Sequence, residues 1–151
     1  DNPADNPYGQ NRLYLETYIK NQYSNVTIIR LPALFGKGLK KNAIYDMNNN
    51  KYDYLPNLKS KFQYYCLDNI WKDIDIALKN NISILNISPE PVLFSNIYDL
   101  FNIKDLDLSS APIINENMKT QQANLWNKSG DYMYSIEQTI DELKKFLKEQ
   151  I

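Results

Sequence analysis

Val26-Thr27-Ile28-Ile29-Arg30-Leu31-Pro32-Ala33-Leu34-Phe35-Gly36 is dominated, up to Leu31, by β-branched and apolar residues. The run Val26 to Leu31 is short, bounded by Asn25 and Pro32, and lacks the alternation of a strand with one wet face. That pattern predicts a strand buried on both sides, as in a parallel sheet. Pro32 to Lys41, with Gly36 and Gly38, reads as a loop over the strand's C-terminal end. Upstream, residues 1–7 form a loop with prolines at Pro3 and Pro7. Leu13, Leu15, Tyr18 and Ile19 then recur at helical spacing, predicting a helix from Tyr8 to Tyr23. Downstream, the pattern gives a short helix Asn42 to Met47, a polar loop 48–60 and a strand Lys61 to Leu67. Asp68 is placed to cap a helix through Leu78, with Ile70, Ile74, Ala77 and Leu78 on its apolar face. Ile82 to Ile87 is another short buried strand. Pro89-Glu90-Pro91 breaks the chain, and Ser95 is placed to cap a turn or two of helix to Phe101. Residues 102–131 show no clear period. Ser135 and Gln138 stand at capping-box spacing and open a helix from Ile136 to Gln150. Alternating strands and helices predict an α/β layer structure.

Composition narrows the function classes. Net charge is −1, so no basic field exists to hold a nucleic-acid backbone, and no nucleic-acid partner is expected. Histidine is absent, which removes the usual general base near neutral pH and the commonest transition-metal ligand. One cysteine, Cys66, rules out an internal disulfide or a multi-cysteine zinc site, and no metal is expected. It lies in a predicted strand and reads as a buried, inert thiol. No apolar run reaches membrane-spanning length, and a reducing, cytoplasmic setting fits. The opening Asp-Asn-Pro-Ala-Asp-Asn-Pro reads as the middle of a loop, so the chain is expected to be a fragment.

Chemistry centres on Tyr8-Gly9-Gln10-Asn11-Arg12. Residues four apart on a helix share a face. A cation there favours the phenolate and so lowers the tyrosine's pKa. Such a phenol can exchange a proton with an alcohol or ketone while a nicotinamide exchanges hydride. With 12 tyrosines and 17 basic residues, about one such pair arises by chance, and spacing alone favours an ordinary amphipathic helix with a surface arginine.

The neighbourhood shifts that balance. Tyr8-Gly9-x-x-Arg12 with Glu16, the Val26–Gly36 stretch, Phe62-Gln63-Tyr64-Tyr65-Cys66-Leu67-Asp68-Asn69-Ile70, and Ile84-Leu85-Asn86-Ile87 follow one another in order. Together they resemble the extended short-chain dehydrogenase/reductases of the NAD-dependent epimerase/dehydratase type, over about residues 8–101. That family has a Tyr-x-x-x-Lys helix, a strand ending Arg-x-x-Asn-x-Tyr-Gly, a Val-Asp-Asp-Ile segment and a following Asn-Ile strand. The resemblance implies the C-terminal part of a Rossmann-type sheet with covering helices plus a small substrate-side lobe, the dinucleotide-binding half lying outside the chain. Residues 8–36 would be the catalytic-type helix and following strand, and 37–151 the substrate-side region. Tyr8 and Arg12 would be catalytic and would touch the cofactor, NAD or NADP in the full-length protein. Pro32, Ala33 and Leu34 would line its nicotinamide end. Ala33, Lys37, Asn42 and Gln63 would meet a sugar or nucleotide-sugar substrate. A homodimer through the tyrosine-bearing helix, or association with the absent half, would complete the enzyme.

The departures matter. Arg12 stands where the family has lysine, and a planar fork is not a compact point charge. Ala33 replaces an asparagine that touches substrate in many members. The family's phosphate-gripping arginine is missing near Phe62 and Gln63; Lys37, Lys40 and Lys41 can bind phosphate instead or lie in a solvated loop. Gly9, Gly36, Gly38 and Gly130 never form a Gly-x-Gly-x-x-Gly turn, so the chain by itself should not bind NAD tightly. A competing reading is a degenerate member that binds a sugar nucleotide or a protein partner without turnover. Trp71 and Trp126 read as core or interface, and Asp68, Asp73 and Asp75 as dipole-compensating charges at a helix start.

Overall fold

The computed structural model describes residues 6–104 and 106–149. Residues 1–5 of the expected loop 1–7 and the last expected helical residue, Gln150, lie outside that range, while Pro7 of that loop belongs to the first helix.

Helix α1 spans Pro7–Gln22. It opens where the sequence dictates: Asn6 accepts from the Tyr8 amide at 2.8 Å, and Pro7 takes the first turn, where its missing N–H is no loss. Strand β1, Ile28–Arg30, follows. It runs parallel to Ile84–Asn86, with Ile29 opposite Leu85.

The chain does not enter a loop after Pro32, as the sequence suggested. Ala33–Phe35 forms a second strand, β2, which leaves the first sheet and pairs in parallel with Tyr64–Cys66. Proline explains the switch. It has no N–H for the ladder, so a run that is apolar on both sides of it changes sheets instead of continuing. The loop proper begins at Gly36, whose φ is +150° and whose added Cβ would sit 3.0 Å from the Leu67 Cβ. Helix α2, Ala43–Asn48, starts at Asn42, whose side chain accepts from the Ile44 and Tyr45 amides.

The strand expected over Lys61 to Leu67 is two strands. Lys61–Phe62 (β3) pairs antiparallel with Val92–Leu93, and Tyr64–Cys66 (β4) pairs with β2. Gln63 is the break. Its side-chain nitrogen donates to Pro89 O at 2.6 Å and Met118 O at 2.7 Å, and its oxygen accepts from Met118 N at 2.5 Å. The buried amide turns one strand into two by gripping two other segments.

Helix α3 spans Ile70–Lys79. Asp68 lies in a short 3-10 turn ahead of it and no side chain caps it, contrary to expectation. Its inward face also differs. Leu78 is exposed, while Ile70, Ile76 and Ala77 join the core and Asp73 is wholly buried. The reason is a hydrogen-bonded hub. The Asp73 carboxyl accepts from Tyr65 Oη at 2.6 Å, from Trp126 Nε1 at 2.7 Å, and from Tyr134 Oη at 2.7 and 2.9 Å. These donors fix the helix's rotation more strongly than an apolar stripe does. Asp73 is therefore a core residue, not a dipole-compensating charge. Trp126 is core as expected, whereas Trp71 is 77% exposed.

Strands β5 (Ile84–Asn86) and β6 (Val92–Leu93) follow. Helix α4, Phe94–Tyr98, carries Ser95 inside it rather than as its cap. Helix α5, Ile136–Lys148, opens with the expected capping box. Ile140, Leu143, Phe146 and Leu147 pack it onto the cluster containing Phe35, Tyr64 and Phe94. A second cluster, with Leu85, Ile87 and Met133, surrounds the Asp73 hub. The fold is α/β: among the described residues there are two parallel strand pairs and one antiparallel pair, with helices packed against them. Among the described residues, no helix is long and apolar enough to cross a membrane.

Candidate functional site

Tyr8 and Arg12 meet as their spacing requires. Arg12 Nη2 donates to Tyr8 Oη at 2.8 Å, and the guanidinium carbon lies 5.0 Å from the ring centroid. The pair is exposed, Tyr8 at 66%. One turn on, Glu16 takes two hydrogen bonds from Arg30, Nε at 2.9 Å and Nη2 at 2.6 Å. That fork holds α1 against the end of β1. Its hydrogen bond keeps the Glu16 carboxyl below its ordinary pKa against some desolvation. None of the α1 side chains is buried, and Tyr14, Tyr18 and Tyr23 are all more than half exposed.

A cavity of about 790 Å³ opens where the chain passes from β1 to β2. Leu31, Pro32 and Ala33 form one side, and the 115–119 segment the other. Arg30, Asn86 and Lys119 continue into a neighbouring cavity of about 540 Å³. Parallel strands leave such a crevice at their C-terminal ends where the sheet changes course. Tyr8 and Arg12 line neither cavity.

The remaining sequence-predicted residues divide. Ala33 lines the large cavity with Pro32, while Leu34 faces the opposite side, in a pocket with Phe35, Asn42 and Phe146. Gln63 reaches the floor of the large cavity, but it is 1% exposed and its amide is fully committed to backbone. Asn42 likewise caps α2 and donates to Leu34 O at 2.6 Å. The two side-chain amides expected at substrate, Gln63 and Asn42, therefore hold the fold in this structure. Lys37 is exposed, and of the three lysines in its loop Lys41 lines the small pocket. Gly36 serves close approach to Leu67. Burial raises the Cys66 thiol pKa, in keeping with an inert buried group.

Sequence reading missed the wall formed by residues 115–119. Glu116 and Lys119 reach the cavity from a stretch without period or motif, and only its pairing with other segments places it: Lys61 N donates to Ile114 O at 2.8 Å and Glu116 N to Lys61 O at 2.9 Å.

No family model matches the sequence, and no curated protein sequence matches it. Solved structures do. A UDP-N-acetylglucosamine 4-epimerase from Methanobrevibacter ruminantium M1, in complex with UDP-N-acetylmuramic acid, superposes with a TM-score of 0.65 at 14% identity, over 96% of this chain and 54% of that one. A UDP-N-acetylglucosamine 4-epimerase from Bacillus cereus gives 0.63 at 19% identity, over 95% and 52%. An NAD-dependent NDP-hexosamine 5,6-dehydratase of tunicamycin biosynthesis gives 0.59 at 14%, over 95% and 54%. The chain spans about half the length of these structures. The chain shares its fold with about half of each of these epimerase and dehydratase structures.

Proposed function

We propose that this chain is the substrate-side portion of an NAD(P)-dependent epimerase, dehydratase or reductase that acts on a nucleotide sugar. The observation that carries the reading is the 2.8 Å contact between Arg12 and the Tyr8 hydroxyl, on a helix held to β1 by Arg30 and Glu16. The matched fold, in which solved members act on UDP- and NDP-hexosamines, supports it.

The residues present fit one end of the cofactor. Tyr8, Arg12, Pro32 and Ala33 suit a nicotinamide and its ribose; no Gly-x-Gly-x-x-Gly turn is available for the pyrophosphate. When bound, the dinucleotide supplies hydride acceptance and donation. The chain's own contribution is acid–base chemistry. Tyr8 Oη takes the proton from a sugar hydroxyl as it becomes a ketone, and returns one in the reverse direction. Tyr8 must be the phenolate to take that proton, and Arg12 stabilises it in that form through charge and a direct hydrogen bond. We further propose a cytoplasmic setting and a two-fold dimer through the exposed α1 face, where Tyr14 and Tyr18 present aromatic surface to solvent.

One observation favours a second reading. The arginine closes onto the phenol instead of projecting past it, and so occupies an acceptor site at which a substrate hydroxyl would donate. A non-catalytic member that binds nucleotide sugar follows from that. Full-length protein decides between them. Hydride transfer over a nucleotide-sugar panel that disappears in Tyr8→Phe supports the enzyme. Cofactor binding with no turnover on any member of the panel supports the second reading.

A further inference from the structure

We propose that Glu116 is the side chain by which the large cavity recognises the hydroxyl-bearing sugar ring of a nucleotide sugar, a proposal that rests on the functional reading above. Three charged side chains stand on the cavity wall: Arg30, Glu116 and Lys119. Arg30 is closed onto Glu16, and Lys119 Nζ lies 2.7 Å from Asp131 Oδ2. Both cations are neutralised within the chain, so this wall offers a diphosphate no spare positive charge. Glu116 is different. Among the described residues no cation lies within ion-pair distance of it, and Oε2 alone is engaged, by the backbone N–H of Gln63 at 3.3 Å.

A second acceptor reinforces the pattern. Asn86 Oδ1 is the one buried side-chain polar atom without a partner among the described residues, while its Nδ2 donates to Lys119 O at 3.0 Å. Asn86 lines the same cavity. A phosphate brings only acceptors to such a wall. A sugar ring brings hydroxyl and acetamido donors, which a carboxylate accepts through short charge-assisted bonds. Although Glu116 is exposed as a residue, the surroundings of its carboxyl desolvate it and push its pKa up. Donors from a bound sugar would relieve that desolvation. Ala33, on the opposite side, leaves room where a longer polar side chain would compete.

The test uses ¹⁵N-labelled full chain titrated separately with UDP-N-acetylglucosamine and with UDP. Wild type, Glu116→Ala and Glu116→Gln are compared, each checked first for an unchanged thermal midpoint. The expected result is that the sugar nucleotide, and not UDP, shifts the Asn117 and Met118 amides. Glu116→Ala should weaken UDP-N-acetylglucosamine about tenfold, the scale of one charge-assisted hydrogen bond, and leave UDP unchanged. Glu116→Gln, which keeps an acceptor, should fall between. Equal weakening of both compounds, or of neither, overturns the assignment of Glu116 while leaving the nucleotide-sugar reading intact. Wild-type chain that binds neither compound overturns both.

Discussion

Arg30 of β1 grips Glu16 of α1 with a two-pronged hydrogen bond, 2.9 and 2.6 Å, and so ties the helix that carries Tyr8 to the strand that leads to Ala33. No α1 side chain is buried, and this fork is a polar tether between the helix and the sheet. Arg30 is partly exposed, which limits the pair to about 0.2–1 kcal/mol. Glu16→Gln should speed amide hydrogen exchange in the middle of α1 by roughly 2–5-fold. Because the Glu16 pKa is lowered in the fold, its contribution is present above the unfolded carboxylate value, about 4.3, and is lost as pH falls through the folded value. Exchange in wild type should therefore approach that of the variant below about pH 4. Equal exchange in the two proteins at pH 7 would count against the tether.

The Asp73 hub should be the chain's most sensitive polar site. Asp73→Asn replaces one accepting oxygen with a donor amide facing Tyr65, Trp126 or Tyr134. One or two buried donors lose their partner at about 1–3 kcal/mol each, so denaturant unfolding should show a loss of about 2–4 kcal/mol. Loss of the hub's hydrogen bonds should also redshift or quench Trp126 fluorescence, while Trp71, already exposed, reports no change. A stability change below 0.5 kcal/mol is incompatible with the hub as described.

Glu142 should respond to pH in the opposite direction from Glu16. Burial raises its pKa, the hydrogen bond from Asn69 lowers it, and the nearby Asp73 raises it further. The protonated form is favoured in the fold, so stability should decline as pH rises from the unfolded value, about 4.3, through the folded one. Glu142→Gln keeps an oxygen for Asn69 and removes the charge. Its thermal midpoint should exceed wild type at pH 7.5, with the gap closing near pH 4. A gap that widens toward low pH would refute the assignment.

Gly36→Ala should destabilise by about 1–3 kcal/mol. The position has φ +150°, and a Cβ would lie 3.0 Å from the Leu67 Cβ. Gly38→Ala, with φ +85° but open space around it, should suffer the backbone strain alone and lose less. Comparing the two variants by thermal melting separates crowding from strain; equal losses would remove Leu67 from the account.

Local chemistry made much of this chain readable from its residues. Helix α1, the capping box of α5, β1 and β5 each announce themselves through caps or short apolar runs, and the Tyr8–Arg12 contact follows from helical geometry alone. What depended on three dimensions was every choice between competing partners. Pro32 shows only that a ladder must break; the availability of β4 turns Ala33–Phe35 into a strand. Asp73 looks like a surface charge until Tyr65, Trp126 and Tyr134, up to 61 residues away, converge on it. Gln63 looks like a ligand group until Met118 claims its amide. A side chain's donors and acceptors are fixed by its covalent structure, but which long-range groups satisfy them is set by packing, and no local pattern encodes that.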